Sequence, residues 1–238
     1  MLTGAYFFGE ICLKNPIKDL SRFEMLLWIT SAITVSATFF GFGSTDYLTL
    51  VASLIGVTAL IFVSKGYVLG QVLTVVFAVF YGIISFRQRY YGEMITYLGM
   101  TAPIALIAVI SWLRNPYKDT KEVAVSKMSA RQKYAMVILS VTVTAAFYFI
   151  LKALGNASLL FSTISITTSF VASYLTACRS TCYGLAYAAN DVVLIILWVI
   201  AARNDIGCVP MIACFTAFLA NDIYGFFNWR RMKKRQKP

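Results

Sequence analysis

The chain has 238 residues, of which 59% are hydrophobic and only 13% charged, with a mean hydropathy of +0.74. Those values exclude a soluble globular domain and point to a protein solvated by lipid. The net charge of +11 does not indicate a nucleic-acid partner, because the Lys and Arg residues cluster at the chain ends and in short connections between apolar runs, where phospholipid headgroups lie.

Residues 1 to 22 carry Lys14, Lys18 and Arg22 around Pro16 and lack a small-residue cleavage pattern, so the first apolar run is expected to remain in the mature protein. Stretches of about 20 apolar residues then predict eight membrane helices, near 23 to 41, 46 to 64, 67 to 86, 94 to 112, 134 to 153, 158 to 178, 181 to 202 and 207 to 229. The one sizeable connection, Leu113 to Lys133, holds six basic residues, and Pro116 stops the helix before it. With eight spans both termini share one side, and that side collects 17 of the 21 Lys and Arg residues; only Arg87, Arg89, Lys152 and Arg203 fall on the other. The positive-inside rule therefore predicts cytoplasmic termini.

Spans two to four and six to eight form two triplets with span five between them, an arrangement that gives parallel repeats. Gly70 and Gly184 near the start of each middle helix, and Ser111-Trp112-Leu113-Arg114 against Asn228-Trp229-Arg230-Arg231 at the end of each third helix, support it. The expected units are an N-terminal segment with the first helix (1–45), a first repeat (46–112), a basic loop and linker helix (113–157), a second repeat (158–229) and a basic tail (230–238).

Polar residues at membrane depth are the candidate site. Asn190-Asp191 and Asn221-Asp222 place the same pair near the middle of spans seven and eight. Span seven presents Tyr187, Asn190, Asp191 and Trp198 at helical spacing, span eight presents Asn221, Tyr224 and Asn228, and span six aligns Ser162, Ser165, Ser169, Ser173 and Thr176 on one face. Gln71 of span three is a further candidate. Amides bind hydroxyls without the desolvation cost of a charge, and aromatic rings stack or attract a cationic ring. These residues suit a small solute with hydroxyls, an amide and an aromatic ring, with Asn190, Asp191, Asn221, Tyr224, Tyr187, Asn228, Ser169, Gln71 and Trp198 as substrate-binding candidates. Pro103, Asp222, Gly225, Gly184 and Trp229 are candidates for gating or structure; tight packing is the competing reading for the hydroxyl stripe and a structural clamp for the Asp residues.

No His is present, and the five cysteines, Cys12, Cys178, Cys182, Cys208 and Cys214, form no CxxC pair; an intramembrane hydrolase or metal site is disfavoured, Cys178 and Cys182 being expected on one helix face as small packing residues. No phosphate-binding loop indicates direct ATP drive. No enzyme activity and no cofactor are expected.

The run Arg89-Tyr90-Tyr91-Gly92-Glu93-Met94, Pro103, the stretch Trp112 to Pro116 and above all Asn221-Asp222-Ile223-Tyr224-Gly225-Phe226-Phe227-Asn228-Trp229-Arg230 resemble the PnuC-type vitamin-nucleoside transporters, from about Asp46 to Trp229. The resemblance implies a 3+1+3 core similar to the SWEET sugar transporters, a homotrimer, and facilitated diffusion of nicotinamide riboside across a bacterial cytoplasmic membrane, trapped by a cytoplasmic nucleoside kinase. Span seven reads Ala-Tyr-Ala-Ala-Asn-Asp where relatives carry Trp near the Asp, which leaves deoxynucleosides, thiamin or riboflavin as alternative solutes; proton coupling through Asp191 and Asp222 is the rival mechanism, and a receptor or scaffold the rival class.

Overall fold

A computed structural model of the chain describes residues 16–43, 46–87, 90–118, 120–156 and 158–236. Lys14, Cys12 and Arg89, used in the reading above, lie outside them. Eight helices among the described residues are long and apolar enough to cross a membrane: α1 (Arg22–Gly41), α2 (Tyr47–Ser64), α3 (Val68–Arg87), α4 (Tyr91–Leu113), α5 (Ala130–Ala153), α6 (Leu159–Ala177), α7 (Tyr183–Ala202) and α8 (Val209–Arg235). The backbone has little alternative, since in lipid each N–H and C=O must be satisfied within its own segment.

Local signals set the ends. Ser21 and Ser129 close capping boxes with Glu24 and Gln132 at the starts of α1 and α5, and Pro210 occupies the first turn of α8, where its missing N–H costs nothing. In α4, Pro103 brings no donor to its i−4 carbonyl, and the turn before it, Tyr97–Thr101, widens to π-type bonding in which Ala102 N–H reaches the carbonyl of Tyr97. The bend expected of Pro103 is thus a π turn. Pro103 itself faces outward, while the wider turn carries Tyr97 and Thr101 inward.

Six of the helices close a ring. Chain neighbours α2–α3–α4 and α6–α7–α8 pack in order, and the ring is completed by α4 against α6 and by α8 against α2. The third helix of each triplet therefore meets the first helix of the other. α1 packs outside the ring on α8 and α2, and α5 lies on α6; α5 is so little covered by protein that Tyr134, Val137, Ile138, Val141 and Phe149 all remain exposed, as suits a helix sheathed in lipid.

Two observations differ from the sequence reading. α8 runs past Trp229 to Arg235, because Met232 is buried and Arg235 reaches Glu122 at 3.0 Å. Cys178 and Cys182 do not share a helix face: they bracket the turn between α6 and α7, where Arg179 takes a positive φ of 57°.

Candidate functional site

At the centre of the ring lies a cavity of about 50 Å³ walled by all six ring helices: Gly56 and Ala59 of α2, Gln71, Thr74 and Phe77 of α3, Tyr97 and Thr101 of α4, Ser169 of α6, Tyr187, Asn190 and Asp191 of α7, and Phe218 and Asp222 of α8. Of the residues predicted to bind substrate, Gln71, Ser169, Tyr187, Asn190 and Asp191 meet here, joined by Asp222.

The hydroxyl stripe of α6 explains how α7 is oriented. Ser162, Ser165, Ser169, Ser173 and Thr176 are all buried. Thr168 and Ser169 donate to Asn190 Oδ1 at 2.8 and 3.2 Å, which holds the amide carbonyl and leaves the NH₂ group turned the other way; Ser173 and Tyr187 share a bond of 3.1 Å. The stripe therefore packs α6 against α7 and positions the α7 polar side chains.

The carboxyl groups of Asp191 and Asp222 meet across the α7–α8 contact, and Asp191 Oδ2 has no donor. Two carboxyls brought together at membrane depth repel one another when ionised, so the pair is a costly arrangement and a candidate functional feature. Neither has a Lys or Arg partner among the described residues.

Gly184 makes this approach possible: a Cβ there would lie 2.5 Å from the carbonyl oxygen of Asp222 and 2.8 Å from the amide nitrogen of Phe226. At Gly225 a Cβ would stand 2.5 Å from the Tyr183 hydroxyl. α7 and α8 run unbroken through these positions, and both glycines, candidates for gating or structure, stand at close helix contacts.

Four predicted binding residues lie elsewhere. Asn221 turns away from the cavity and donates to Ser31 of α1 at 3.0 Å and to its own-helix Ala217 carbonyl at 2.8 Å. Tyr224 donates to Glu24 of α1 at 2.8 Å, and Asn228 to the Ser64 carbonyl of α2 at 2.9 Å. Asn221 stands about 100° round the helix from Asp222, where it meets Ser31 of α1, whereas the same step on α7 leaves Asn190 held at the cavity by α6. Trp198 stands outside the cavity, donating to the Tyr81 hydroxyl at 3.1 Å.

Aromatic clusters close the cavity at both ends. Toward the end where α3 finishes and α4 begins, Tyr81 packs on Tyr97, Trp198 and Phe215. Toward the other end Trp229 packs on Trp112 and Tyr183 at 5.3 and 4.7 Å. The Trp229 indole N–H donates to the Val63 carbonyl at 2.9 Å. A cavity this small is well below the usual ligand-pocket range of roughly 300 to 1,000 Å³, so a nucleoside-sized solute must displace side chains to enter.

The sequence reading missed Tyr97, Thr101 and Thr74 in the wall, Glu24, and Glu93. Thr101 Oγ1 is buried without a partner; its four-residue spacing from Tyr97, just before Pro103, is the signal that could have found both. Glu24 accepts from Ser21 N–H, Tyr224 and Lys65, which ties α1 to α8 and to the turn after α2. Among the described residues no cluster of His, Cys, Asp and Glu could hold a metal.

This ring, with its closed polar centre, has counterparts. The family profile described as "Nicotinamide mononucleotide transporter" matches residues 46–231. The nicotinamide riboside transporter PnuC of Neisseria mucosa is 25% identical over 220 residues, spanning 90% of this chain and 83% of that protein; the PnuC of Haemophilus influenzae is 23% identical over 192 residues, spanning 80% and 82%. The crystal structure of the Vitamin B3 transporter PnuC superposes with a TM-score of 0.79 at 24% identity, covering 92% of this chain and 94% of that one. The chain belongs to the nicotinamide mononucleotide transporter family and is a multi-pass membrane transporter, not an enzyme.

Proposed function

We propose that the protein carries nicotinamide riboside across a bacterial cytoplasmic membrane by facilitated diffusion through the central cavity, with phosphorylation by a cytoplasmic nucleoside kinase retaining the product. The observation that carries this reading is the wall itself: the carboxyls of Asp191 and Asp222, Asn190, Gln71, Ser169 and Thr101 as donors and acceptors, and Tyr97 and Tyr187 as ring faces. Nicotinamide riboside is a pyridinium cation on a hydroxylated ribose. The carboxyl pair offsets the ring charge, the tyrosines attract its face, and the amides and hydroxyls satisfy the sugar. That the Neisseria and Haemophilus relatives are nicotinamide riboside transporters supports the same solute.

Two parallel repeats are part of the proposal, supported by bonds that recur at one constant sequence offset. At the end of α2, the N–H groups of Lys65, Gly66 and Tyr67 donate to the carbonyls of Ile61, Val63 and Phe62; at the end of α6, those of Cys178, Arg179 and Ser180 donate to Tyr174, Thr176 and Leu175. Gly66 and Arg179, the matching residues, both take positive φ. Asn228 and Trp229 then bond the last carbonyls of α2, as Ser111 and Trp112 bond those of α6. Gly70 and Gly184 do not share in this correspondence, since they meet the backbones of different helices. The basic last turns of α8 and the Lys and Arg distribution support cytoplasmic termini, and the homotrimer implied by the resemblance would use the exposed faces of α1 and α5.

Uptake of labelled nicotinamide riboside into proteoliposomes, beside thiamin, riboflavin and deoxynucleosides, tests this. Saturable uptake of the riboside to equilibrium, unchanged by an imposed proton gradient, is expected. Accumulation driven by the gradient would favour the second reading, which the Asp191–Asp222 contact supports, that the pair carries a proton with the solute. Uptake of another solute alone would overturn the assignment.

A further inference from the structure

On the membrane face opposite the termini, a second cavity of about 390 Å³ opens between α4, α6, α7 and the α5–α6 turn, lined by Tyr90, Glu93, Asn156, Ser162 and Asn204 among others. Its size falls in the range of small-molecule sites. Glu93 is 2% exposed, neither of its carboxyl oxygens has a hydrogen-bond partner, and among the described residues no Lys or Arg forms an ion pair with it. A buried carboxyl without a partner or countercharge is costly, and inside a membrane protein such a group is a functional feature until another explanation is found.

We propose that this cavity is an outer recognition site for an aromatic cation bearing hydroxyl groups, and that Glu93 supplies the countercharge before the solute passes inward. The surroundings fit that chemistry. Tyr90 offers a ring face at the rim and stacks edge-on with Trp198 at 5.2 Å, so the site abuts the aromatic closure of the central cavity. Asn156 donates to Ser162 at 2.8 Å, which fixes its amide and leaves the carbonyl oxygen for a ligand hydroxyl. Tyr97 stands four residues after Glu93 on α4 and belongs to the central wall. A cation held by Glu93 is therefore one aromatic layer away from the Asp191–Asp222 pair. Gly92 keeps this corner closed against α5: a Cβ there would lie 2.6 Å from Leu151 Cδ2.

The inference rests on the proposed riboside transport, and its test separates the two. Proteoliposomes holding the full chain, wild type or Glu93→Gln, are compared for uptake of nicotinamide riboside and of its reduced, uncharged dihydro form, with N-methylnicotinamide cation as competitor. The expected result is a KM for the cationic riboside raised about tenfold in Glu93→Gln, a Vmax within about twofold, an unchanged KM for the dihydro form, and weakened inhibition by N-methylnicotinamide. An equal change for charged and uncharged forms, a fall in Vmax alone, or no change would each overturn the outer site while leaving riboside transport intact. Absence of riboside uptake by the wild type would instead overturn the functional reading on which the site depends. Thermal unfolding of both proteins in detergent confirms that the isosteric variant is folded, and Asn156→Ala, which removes a neutral contact, should weaken both forms alike.

Discussion

Asn190-Asp191 on α7 and Asn221-Asp222 on α8 are the same dipeptide at similar depth, yet the protein uses them differently. On α7 both side chains reach the central cavity, because α6 takes hold of Asn190 through Thr168 and Ser169 while Asp191 points to α8. On α8 only Asp222 does; Asn221 is held by Ser31 of α1, a helix outside the ring. A polar pair in a membrane helix is thus assigned by its neighbours. Where the ring supplies the neighbour, the amide lines the cavity, and where an added helix supplies it, the amide becomes a fastener.

Breaking each amide should separate the two roles. Asn190→Ala removes a positioned amide from the wall and strands the Ser169 hydroxyl that donated to it, while Thr168 keeps its own-helix carbonyls; the loss of such buried bonds costs about 1 to 3 kcal/mol, or roughly 5- to 150-fold. Titration of the purified variant with nicotinamide riboside should show a Kd raised by that factor, with the far-ultraviolet spectrum of the wild type. Wild-type affinity would remove Asn190 from the site.

Next in size is the contact that brings the two dipeptides together. Gly184→Ala places a methyl group 2.5 Å from the Asp222 carbonyl oxygen, and backbone cannot rotate aside as a side chain can. Overpacking of this kind costs about 1 to 3 kcal/mol. The variant should melt at lower temperature than the wild type, and riboside binding should weaken with it, because the displaced backbone is the one that carries Asp222. A variant as stable as the wild type would show that α7 and α8 can part freely.

The helices were readable from the sequence because lipid leaves an apolar chain so few choices, but their ends were less so. Glu93 is a charged residue, so a hydropathy window starts α4 at 94 and leaves out the one turn that builds the outer cavity. α8 loses its apolar character at Trp229, yet Met232, one turn further, is buried, and Gln236 docks on the central loop through Val123 and Val125. Within the site, the α7 stripe and the α6 hydroxyls were legible because their spacing alone puts them on one face. Asn221, Tyr224 and Asn228 were also on one face, as expected; which neighbour that face meets depends on α1, and no periodicity within α8 contains that information. Tyr97 and Thr101 escaped because a π turn, rather than regular helix, aims them inward.

The α1 contacts provide the counterpart to Asn190. Asn221→Ala loses one interhelical bond, and because such bonds between membrane helices average about 0.6 kcal/mol, stability should fall by about that amount while riboside affinity stays within about twofold. Loss of binding equal to that of Asn190→Ala would return Asn221 to the site and erase the distinction between the two pairs.

The smallest effect is the most specific. Ser31→Ala removes the acceptor from α1 and leaves Asn221 its bond to Ala217, so alone it should cost no more than about 0.6 kcal/mol. Combined with Asn221→Ala, the two losses should fail to add, since each mutation already removes the bond they share, and a double-mutant cycle in unfolding free energy should return a coupling near that same figure. Additive losses would mean that the two side chains do not bond and that α1 is tied to the ring by Glu24 and by Trp28, whose indole N–H donates to Thr58 at 3.0 Å. In that case Tyr224→Phe, which deletes the hydroxyl donated to Glu24, should loosen α1 more than Ser31→Ala does; if the bond exists, the two should be comparable, and accessibility of a cysteine placed at Ser36 on α1 to a membrane-permeant thiol reagent measures the difference.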